Sequence, residues 1–159
     1  MNIYKSQRGF SLIELLLVVA IIGIISAIAV PNLLASRRAA NEGSAISSIR
    51  TIASAEATYQ STAGGGSYGS LANLNSAGLV DSTLSNSTVS SPKSGYFFAA
   101  VPDATYPRAQ YLITGSTSQP SGVTASGTRN FACDSTGMVT YGAASTAAMT
   151  SNNGTPIGN

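Results

Sequence analysis

The chain contains an apolar run of 21 residues, from position 10 to position 30, which limits its possible folds more than any other feature. As an α-helix with a rise of about 1.5 Å per residue it would be about 31 Å long, matching the hydrocarbon thickness of a bilayer. The run is apolar on all sides except at Glu14, and the remaining sequence holds too little apolar material to enclose it. It therefore predicts a helix that lies in lipid or among other helices.

The charge content also fits a protein held in a membrane or an assembly. Of 159 residues only 14 are charged, 8 basic and 6 acidic, and so sparse a charge is unusual for a soluble protein that works alone. Lys5 and Arg8 precede the apolar run, and without them six basic and six acidic residues remain. A neutral body lacks the basic surface for general nucleic-acid binding, so no specific nucleic-acid partner is predicted. Arg37 and Arg38 follow the run, so flanking charge does not decide its membrane orientation.

The side chains available for chemistry are few. The chain has no histidine, which removes the usual general base and the commonest metal ligand. Asp134 has no second acid near it in the sequence, as a calcium loop would require. Cys133 is the only cysteine and cannot form an intrachain disulfide, so we expect a small buried residue in a strand. We therefore predict no catalytic residue, no cofactor, no metal site and no enzymatic activity.

The residues before the apolar run carry a recognisable junction. In an ordinary secretory signal, cleavage follows the apolar stretch after small residues, but here Pro31 follows and the helical pattern continues. The sequence Lys-Ser-Gln-Arg-Gly at positions 5–9, followed by Phe-Ser-Leu-Ile-Glu at positions 10–14, closely resembles the class III signal of type IV prepilins. The resemblance implies that a prepilin peptidase cuts after Gly9 and methylates the new amine of Phe10. The apolar run would then be kept as the working part of the mature protein.

Glu14 is the single acid in the apolar run. A carboxylate at the centre of a membrane helix costs about 2.5–3.5 kcal/mol on insertion scales, so two interpretations are open. Glu14 could lie near the interface and serve as a simple anchor. Alternatively, as the resemblance implies, it pairs with the free amine of Phe10 on a neighbouring subunit and so makes cleavage a switch for assembly.

The helical pattern extends well beyond the membrane-length run. Gly23 and Pro31 are weak points, and Pro31 predicts a kink or break near positions 28–31 because it lacks an N–H donor. Gly64 begins a run of three glycines that ends the helix near Thr62. Such a helix of about 52 residues is too long for a compact domain of this size. From position 33 the pattern is amphipathic, with an apolar stripe for a sheet to cover: Ala45, Ile46, Ile49, Ile52, Ala53 and Tyr59.

The charged residues fall mostly off that stripe: Arg37, Arg38, Glu42, Arg50 and Glu56. For Arg37 and Arg38 we favour a solvated helix face over a specific docking role. After the helix a loop region contains one expected helical turn at 70–74. Strands are predicted at 96–101, 109–114, 129–133 and 138–141, the last two joined by a hairpin turn at 134–137. The fold class is therefore α+β: a long kinked N-terminal helix with a small antiparallel sheet packed on its C-terminal half.

The sequence divides into five parts on this interpretation. They are a leader (1–9), a transmembrane and assembly helix (10–31), an amphipathic periplasmic helix (32–63), a head with its connecting loop (64–142) and a flexible tail (143–159).

The resemblance implies a structural subunit of a type IV pilus or pilus-like filament, used in adhesion, twitching motility, DNA uptake or secretion. Its partners would be copies of itself, the prepilin peptidase and an inner-membrane assembly platform. The precursor would lie in the bacterial inner membrane and the product in a periplasmic or surface filament. The alternative is a membrane-anchored minor pilin or pseudopilin that acts as a binding module or as part of a type II secretion piston. Many major pilins close a loop with two cysteines, which Cys133 alone cannot do, so the subclass stays open.

We predict that the mature chain begins at Phe10 with a methylated amine, because Gly9–Phe10 is the junction that matches the signal. Intact-mass measurement of the protein from membranes or surface filaments tests this. A mature chain that starts at Met1, or after Ala29, would contradict the resemblance.

Overall fold

The computed structural model describes residues 9–158, so the first eight residues of the predicted leader lie outside the described part. The described residues fall into two compact units, 9–35 and 36–158. The elements are three helices and five strands within the described residues. This is the α+β class that the sequence predicts.

Helix α1, Leu12–Ser61, is 50 residues long and contributes to both units. The predicted helix, from position 11 to position 62, was one residue longer at each end. The helix passes through Gly23 and Pro31 without interruption, so the break that we considered is absent, while a kink there stays a prediction. In the first unit its apolar side chains are exposed. It is the one helix among the described residues that is long and apolar enough to cross a membrane, with a mean hydropathy of 2.9 in its most apolar window.

In the second unit, α1 supplies one wall of the hydrophobic core. Ala45, Ile49 and Ile52 are at most 1% exposed, and they pack with core residues that include Tyr96 and Phe131 from the sheet. Ile46, Ala53 and Tyr59 lie at the edge of this core and are partly buried. The predicted apolar stripe is confirmed, because residues three and four apart on a helix share one face.

Two short helices follow in the connecting loop. Helix α2, Leu71–Ser76, begins after Ser70, whose hydroxyl accepts the N–H of Asn73, and it corresponds to the predicted helical turn. Helix α3, Ser82–Ser85, was not predicted. Its start is fixed by Asp81, whose carboxylate accepts the N–H of Leu84 at 2.7 Å, as is usual for an N-cap residue.

The sheet is antiparallel throughout, and its strands lie in chain order, β1-β2-β3-β4-β5. All four predicted strands are present, and each is one to three residues longer or shifted at its ends. The turn between β3 and β4 closes through the Gly137 N–H and the Asp134 carbonyl at 2.9 Å, with Gly137 at a φ of 76° that suits glycine. The strands are β1 Tyr96–Pro102, β2 Tyr111–Thr117, β3 Arg129–Asp134, β4 Val139–Ala143 and β5 Thr155–Pro156.

The C-terminal segment differs from the flexible tail that we expected. Thr155 pairs with Tyr141 in the sheet as part of β5. The N–H of Ile157 donates to the carbonyl of Val139 at 2.9 Å, and Ile157 packs against the core. The polar composition of this segment suggested a flexible tail, whereas part of it pairs with the free edge of β4 as an additional strand.

We predict that the segment from Ala35 onward folds alone as a soluble monomer without metal. The exposed apolar half of α1 is then removed, while the stripe around Ile49 and Ile52 keeps its sheet. Size-exclusion chromatography and thermal unfolding test this. A lower melting temperature after addition of a calcium chelator would reveal an ion site that we did not predict.

Candidate functional site

The predicted cleavage junction lies just before α1. Gly9, Phe10 and Ser11 are outside regular secondary structure, and the helix begins at Leu12. Gly9 is exposed and Phe10 is 78% exposed. The Gly9–Phe10 peptide bond is therefore accessible and is not part of a helical hydrogen-bond ladder, as a peptidase substrate requires.

Glu14 occupies the first turn of α1 and has a local partner. Its Oε2 accepts the N–H of Ser11 at 2.9 Å, and the Ser11 carbonyl accepts the N–H of Leu15 at 3.2 Å. Ser11 and Glu14 thus form half of a capping box, in which an acid at the third helical position reaches back to the N-cap residue. The Ser-x-x-Glu spacing is readable in the sequence, but our sequence analysis missed it. The pairing of Glu14 with a Phe10 amine on another subunit stays a prediction.

The apolar part of α1 offers a continuous surface for lipid or for other helices. Exposed apolar patches of more than a few hundred Å² mark interaction sites in soluble proteins. Here side chains on every face of the helix are between 47% and 78% exposed, from Leu12 to Leu33. The surface is not one stripe, so it suits an environment that surrounds the helix.

Gly23 and Pro31 interrupt this surface in different ways. A Cβ added at Gly23 would meet nothing within 4 Å, so the glycine leaves a shallow gap on the helix surface. Pro31 has no N–H, and the carbonyl of Ala27 therefore lacks its usual donor within the helix. The weak points that the sequence predicts at Gly23 and Pro31 stay a prediction, and α1 is continuous through both residues.

Glu42 ties α1 to the beginning of β3. It is 6% exposed, and its Oε1 accepts both the N–H and the hydroxyl of Thr128 at 2.7 Å. Its Oε2 accepts from Arg129 Nε at 3.0 Å and Nη2 at 2.6 Å. Burial alone would raise the pKa of Glu42, but the bonds from Thr128 and Arg129 outweigh burial and lower it. Glu42 was placed off the apolar stripe, and its burial against β3 was not predicted.

Arg129, which forms the ion pair with Glu42, also contacts two tyrosines of the sheet. Its guanidinium carbon lies 4.9 Å from the ring centre of Tyr141, within cation–π range. Its carbonyl accepts the hydroxyl of Tyr96 at 2.7 Å. Gly127 leaves room for that hydroxyl, because a Cβ there would lie 2.0 Å from it. The start of β3 is thus held to α1 through Glu42, to β4 through Tyr141 and to β1 through Tyr96.

Glu56 is a second buried acid, but its pKa is raised, whereas the pKa of Glu42 is lowered. It is 0% exposed, its Oε2 accepts the N–H of Gly69 at 2.9 Å, and its Oε1 has no partner within the described residues. Burial raises the pKa of Glu56, and the bond from Gly69 only partly opposes this. The burial of Glu56 was not predicted either, because its partner Gly69 lies 13 residues away in the chain.

Arg37 and Arg38 lie in different environments. Arg37 is exposed, in agreement with the expected solvated position. Arg38 is half-buried and its Nη2 donates to the carbonyls of Gly122 and Val123 at 3.2 and 3.1 Å. For Arg38 the solvated interpretation is therefore wrong, because this side chain fixes a loop of the second unit.

The described residues show no metal-ligating group of three or more Cys, Asp or Glu side chains. Cys133 is buried in β3, as predicted, and burial raises the pKa of its thiol to about 11, so it is unreactive at neutral pH. Asp134 hydrogen-bonds within its own turn, to the N–H and hydroxyl of Thr136.

Comparison with known proteins identifies the class of the N-terminal segment. Residues 4–30 match the prokaryotic N-terminal methylation motif. The chain thus combines this motif with a long apolar helix and an antiparallel sheet, an α+β arrangement consistent with the pilin fold.

Curated relatives point to the same class. The chain is 55% identical over 38 residues to the type IV wide pilus major component PilA4 of Thermus thermophilus, a match that covers 24% of this chain and 29% of that protein. It is 35% identical over 60 residues to type II secretion system core protein G of Escherichia coli, covering 38% and 41%. It is 41% identical over 53 residues to the type IV major pilin protein PilA of Myxococcus xanthus, covering 33% and 24%.

These matches span less than half of each relative's length. No solved structure matches the chain. The resemblance to type IV pilins and type II secretion pseudopilins is confirmed by the motif and by these relatives.

The two buried carboxyl groups should give opposite pH dependence. Glu56 has a raised pKa, so its stabilisation is complete below its unfolded-state pKa and is lost as the pH rises through the folded-state pKa. Glu56→Gln keeps an acceptor for the Gly69 N–H but cannot ionise. The variant should therefore be more stable than the parent at neutral pH, and the difference should vanish near pH 4, about the unfolded-state pKa of glutamate.

Glu42→Gln is the matched control. The pKa of Glu42 is lowered, so its stabilisation is present above the unfolded-state pKa and is lost as the pH falls through the folded-state value. This variant should lose about 1.5 kcal/mol at neutral pH, the lower end for bonds to charged groups because Arg129 is 40% exposed. Denaturant unfolding of both variants across pH tests the pair, and equal pH profiles would contradict it.

Proposed function

We propose that this protein is a structural subunit of a type IV pilus or a related pilus-like filament. The observation that carries the proposal is the N-terminal methylation motif over residues 4–30, joined to a helix whose apolar side chains are exposed on every face. An enzyme would need a pocket with titratable groups in catalytic roles. Glu42 and Glu56, the buried acids, instead bind backbone and side-chain groups of their own fold.

Maturation is the first step of the proposed function. A prepilin peptidase would cut the exposed Gly9–Phe10 bond and methylate the Phe10 amine. Cleavage removes Lys5 and Arg8 and leaves a new cation next to the apolar run. Before cleavage this position holds a neutral peptide group, so the precursor has no Phe10 amine to pair with Glu14 of a neighbouring subunit.

Glu14 would direct the second step, which is assembly. Its contact with Ser11 engages one of its two oxygens, and a carboxylate can accept several bonds, so the capping contact and a bond to a neighbour's amine are compatible. At about 4 Å and an effective dielectric near 20, such an ion pair gains about 4 kcal/mol before desolvation is subtracted. Since desolvation offsets much of that gain, the pair would mainly fix the register between subunits.

The proposed partners and compartments follow from this cycle. The precursor would lie in the bacterial inner membrane through the apolar part of α1, and an assembly platform there would add it to the filament. The filament would extend into the periplasm or to the cell surface. Adhesion, twitching motility, DNA uptake and secretion are processes that such filaments serve.

A second candidate is a membrane-anchored minor pilin or a pseudopilin of a type II secretion system. The similarity to core protein G of Escherichia coli favours it, because that match covers 38% of this chain against 24% for PilA4. A subunit count in sheared surface filaments distinguishes the candidates, since a major pilin would dominate and the others would be rare or absent.

Replacing Glu14 with Leu should leave membrane insertion and cleavage intact, because the segment only becomes more apolar. Filament formation should fall steeply, because each Phe10 amine would be buried without a partner, at a cost of several kcal/mol for every subunit. The measurement compares processed subunit in the membrane with subunit in sheared filaments.

Glu14→Gln is the informative control. A glutamine at this position can still accept the N–H of Ser11, but it carries no charge. Loss of filaments in both variants assigns the effect to the charge. Normal filaments from Glu14→Leu would mean that Glu14 is only an interfacial anchor.

A further inference from the structure

Asn153 and Gly154 form the one Asn–Gly pair in the sequence, and they lie immediately before β5. The side chain of Asn153 is exposed. Its Oδ1 accepts the hydroxyl of Ser151 at 2.7 Å. The side-chain carbonyl of this asparagine is thus open to water and is polarised by a neighbouring donor.

Asn152, the preceding residue, is held far more firmly. Its side chain is half-buried, its Oδ1 accepts the hydroxyl of Thr140, and its Nδ2 donates to the carbonyl of Met138 at 3.1 Å. Both ends of this side-chain amide are therefore tied to β4 and to the residue before it. Two adjacent asparagines thus differ in freedom, and the free one precedes a glycine.

The backbone nitrogen of Gly154 is unobstructed. A Cβ at this position would lie 2.5 Å from the carbonyl oxygen of Tyr141, so packing against β4 requires glycine here. Among residues 9–158 the Gly154 N–H has no hydrogen-bond partner, whereas the N–H of Ile157 donates to the carbonyl of Val139 at 2.9 Å. Neither a side chain nor a hydrogen bond restrains the Gly154 nitrogen.

We propose that Asn153–Gly154 is a self-modifying site, which converts to aspartate or isoaspartate and in the isoaspartate form releases β5 from the sheet. The Gly154 nitrogen loses its proton to water and attacks Cγ of Asn153. The new N–Cγ bond forms, the Cγ–Nδ2 bond breaks, and Nδ2 takes up a proton and leaves as ammonia. One water molecule then opens the resulting succinimide ring at either of its two carbonyl carbons, and no oxidant or cofactor is consumed.

The local contacts favour this attack. Negative charge develops on Oδ1 in the tetrahedral intermediate, and the hydroxyl of Ser151 already donates to that oxygen. Gly154 has no side chain to hinder the approach of its nitrogen, and glycine adopts the backbone conformations that ring closure needs more readily than other residues. No hydrogen bond of the Gly154 N–H has to break first.

The two products should affect β5 differently. Aspartate at position 153 keeps the length of the main chain and adds one negative charge. Isoaspartate adds one carbon atom to the main chain just before β5, which has two residues and pairs with Thr140 and Tyr141. So short a strand cannot absorb the shift in register, and its loss uncovers the N–H and C=O groups on the edge of β4. This chemistry does not depend on the proposed filament role.

The test follows the full-length chain in detergent micelles during incubation at neutral and at alkaline pH. Peptide mass spectrometry measures the loss of the side-chain amide, and labelling by an isoaspartyl methyltransferase measures isoaspartate. Conversion at Asn153 should speed up about tenfold per pH unit, because the attacking nitrogen must be deprotonated. Ser151→Ala should slow it several-fold, and Asn153→Gln should stop it, because the longer side chain would have to close a larger ring.

Two other asparagines of the same chain serve as internal controls. Asn152 is tied down, and Asn86 is exposed but precedes Ser87, whose side chain is buried and whose N–H donates to the carbonyl of Leu84 at 3.4 Å. We expect neither to convert while Asn153 does. Equal conversion at all three positions would overturn the site, and so would an unmodified Asn153 while a synthetic peptide of residues 148–158 converts.

Hydrogen exchange of the converted chain tests the release of β5. In molecules that carry isoaspartate, the amides of Thr155 and Ile157 should lose their protection, while those of β2 and β3 keep theirs. Molecules that carry aspartate should retain protection at Thr155 and Ile157. Unchanged protection of these two amides in the isoaspartate form would overturn the coupling between the modification and β5.

Discussion

Water cannot solvate the apolar surface of the first part of α1 without a large cost, and this constraint determines what must surround the first unit. Burial of apolar surface contributes about 25 cal/mol per Å², and here side chains such as Leu12, Ile24 and Leu33 are more than 60% exposed in the single chain. Only lipid or other helices can cover them. A membrane and a helical bundle are two environments that can cover the same surface, so one segment would suit both the precursor and the filament that we propose.

The second unit must fold without burying that apolar surface. Its core joins the stripe around Ile49 to the inner face of the sheet, and polar contacts then fix the relative position of these layers. Glu42 reaches Thr128 and Arg129, which are 86 and 87 residues away in the chain. Such long-range bonds hold the sheet on α1 in one register, because a shift would leave a buried carboxylate without its donors.

The sequence predicted those features that depend on local pattern. The apolar run, the stripe through Ile49, the β3–β4 turn and the strands could be read from periodicity and turn chemistry, because these act over a few residues. The environments of Glu42, Glu56 and Arg38 could not, since each is set by a partner that only the tertiary fold brings near. β5 could not be predicted either, because its residues pair with the edge of β4 and no local pattern marks them as a strand. At the N-terminus the resemblance located the junction, whereas the capping role of Glu14 was readable and was missed.

That capping role makes the position of Glu14 more informative than its charge alone. An acid at the third helical position is favoured in any helix, because it satisfies a free N–H and opposes the positive end of the helix dipole. In an uncut chain this is sufficient reason for its presence, and no second subunit is needed. Cleavage at Gly9 would place a new cation four residues away from the same carboxylate. If the proposed processing takes place, the acid that caps the helix in the precursor would already be in place to bind the new amine.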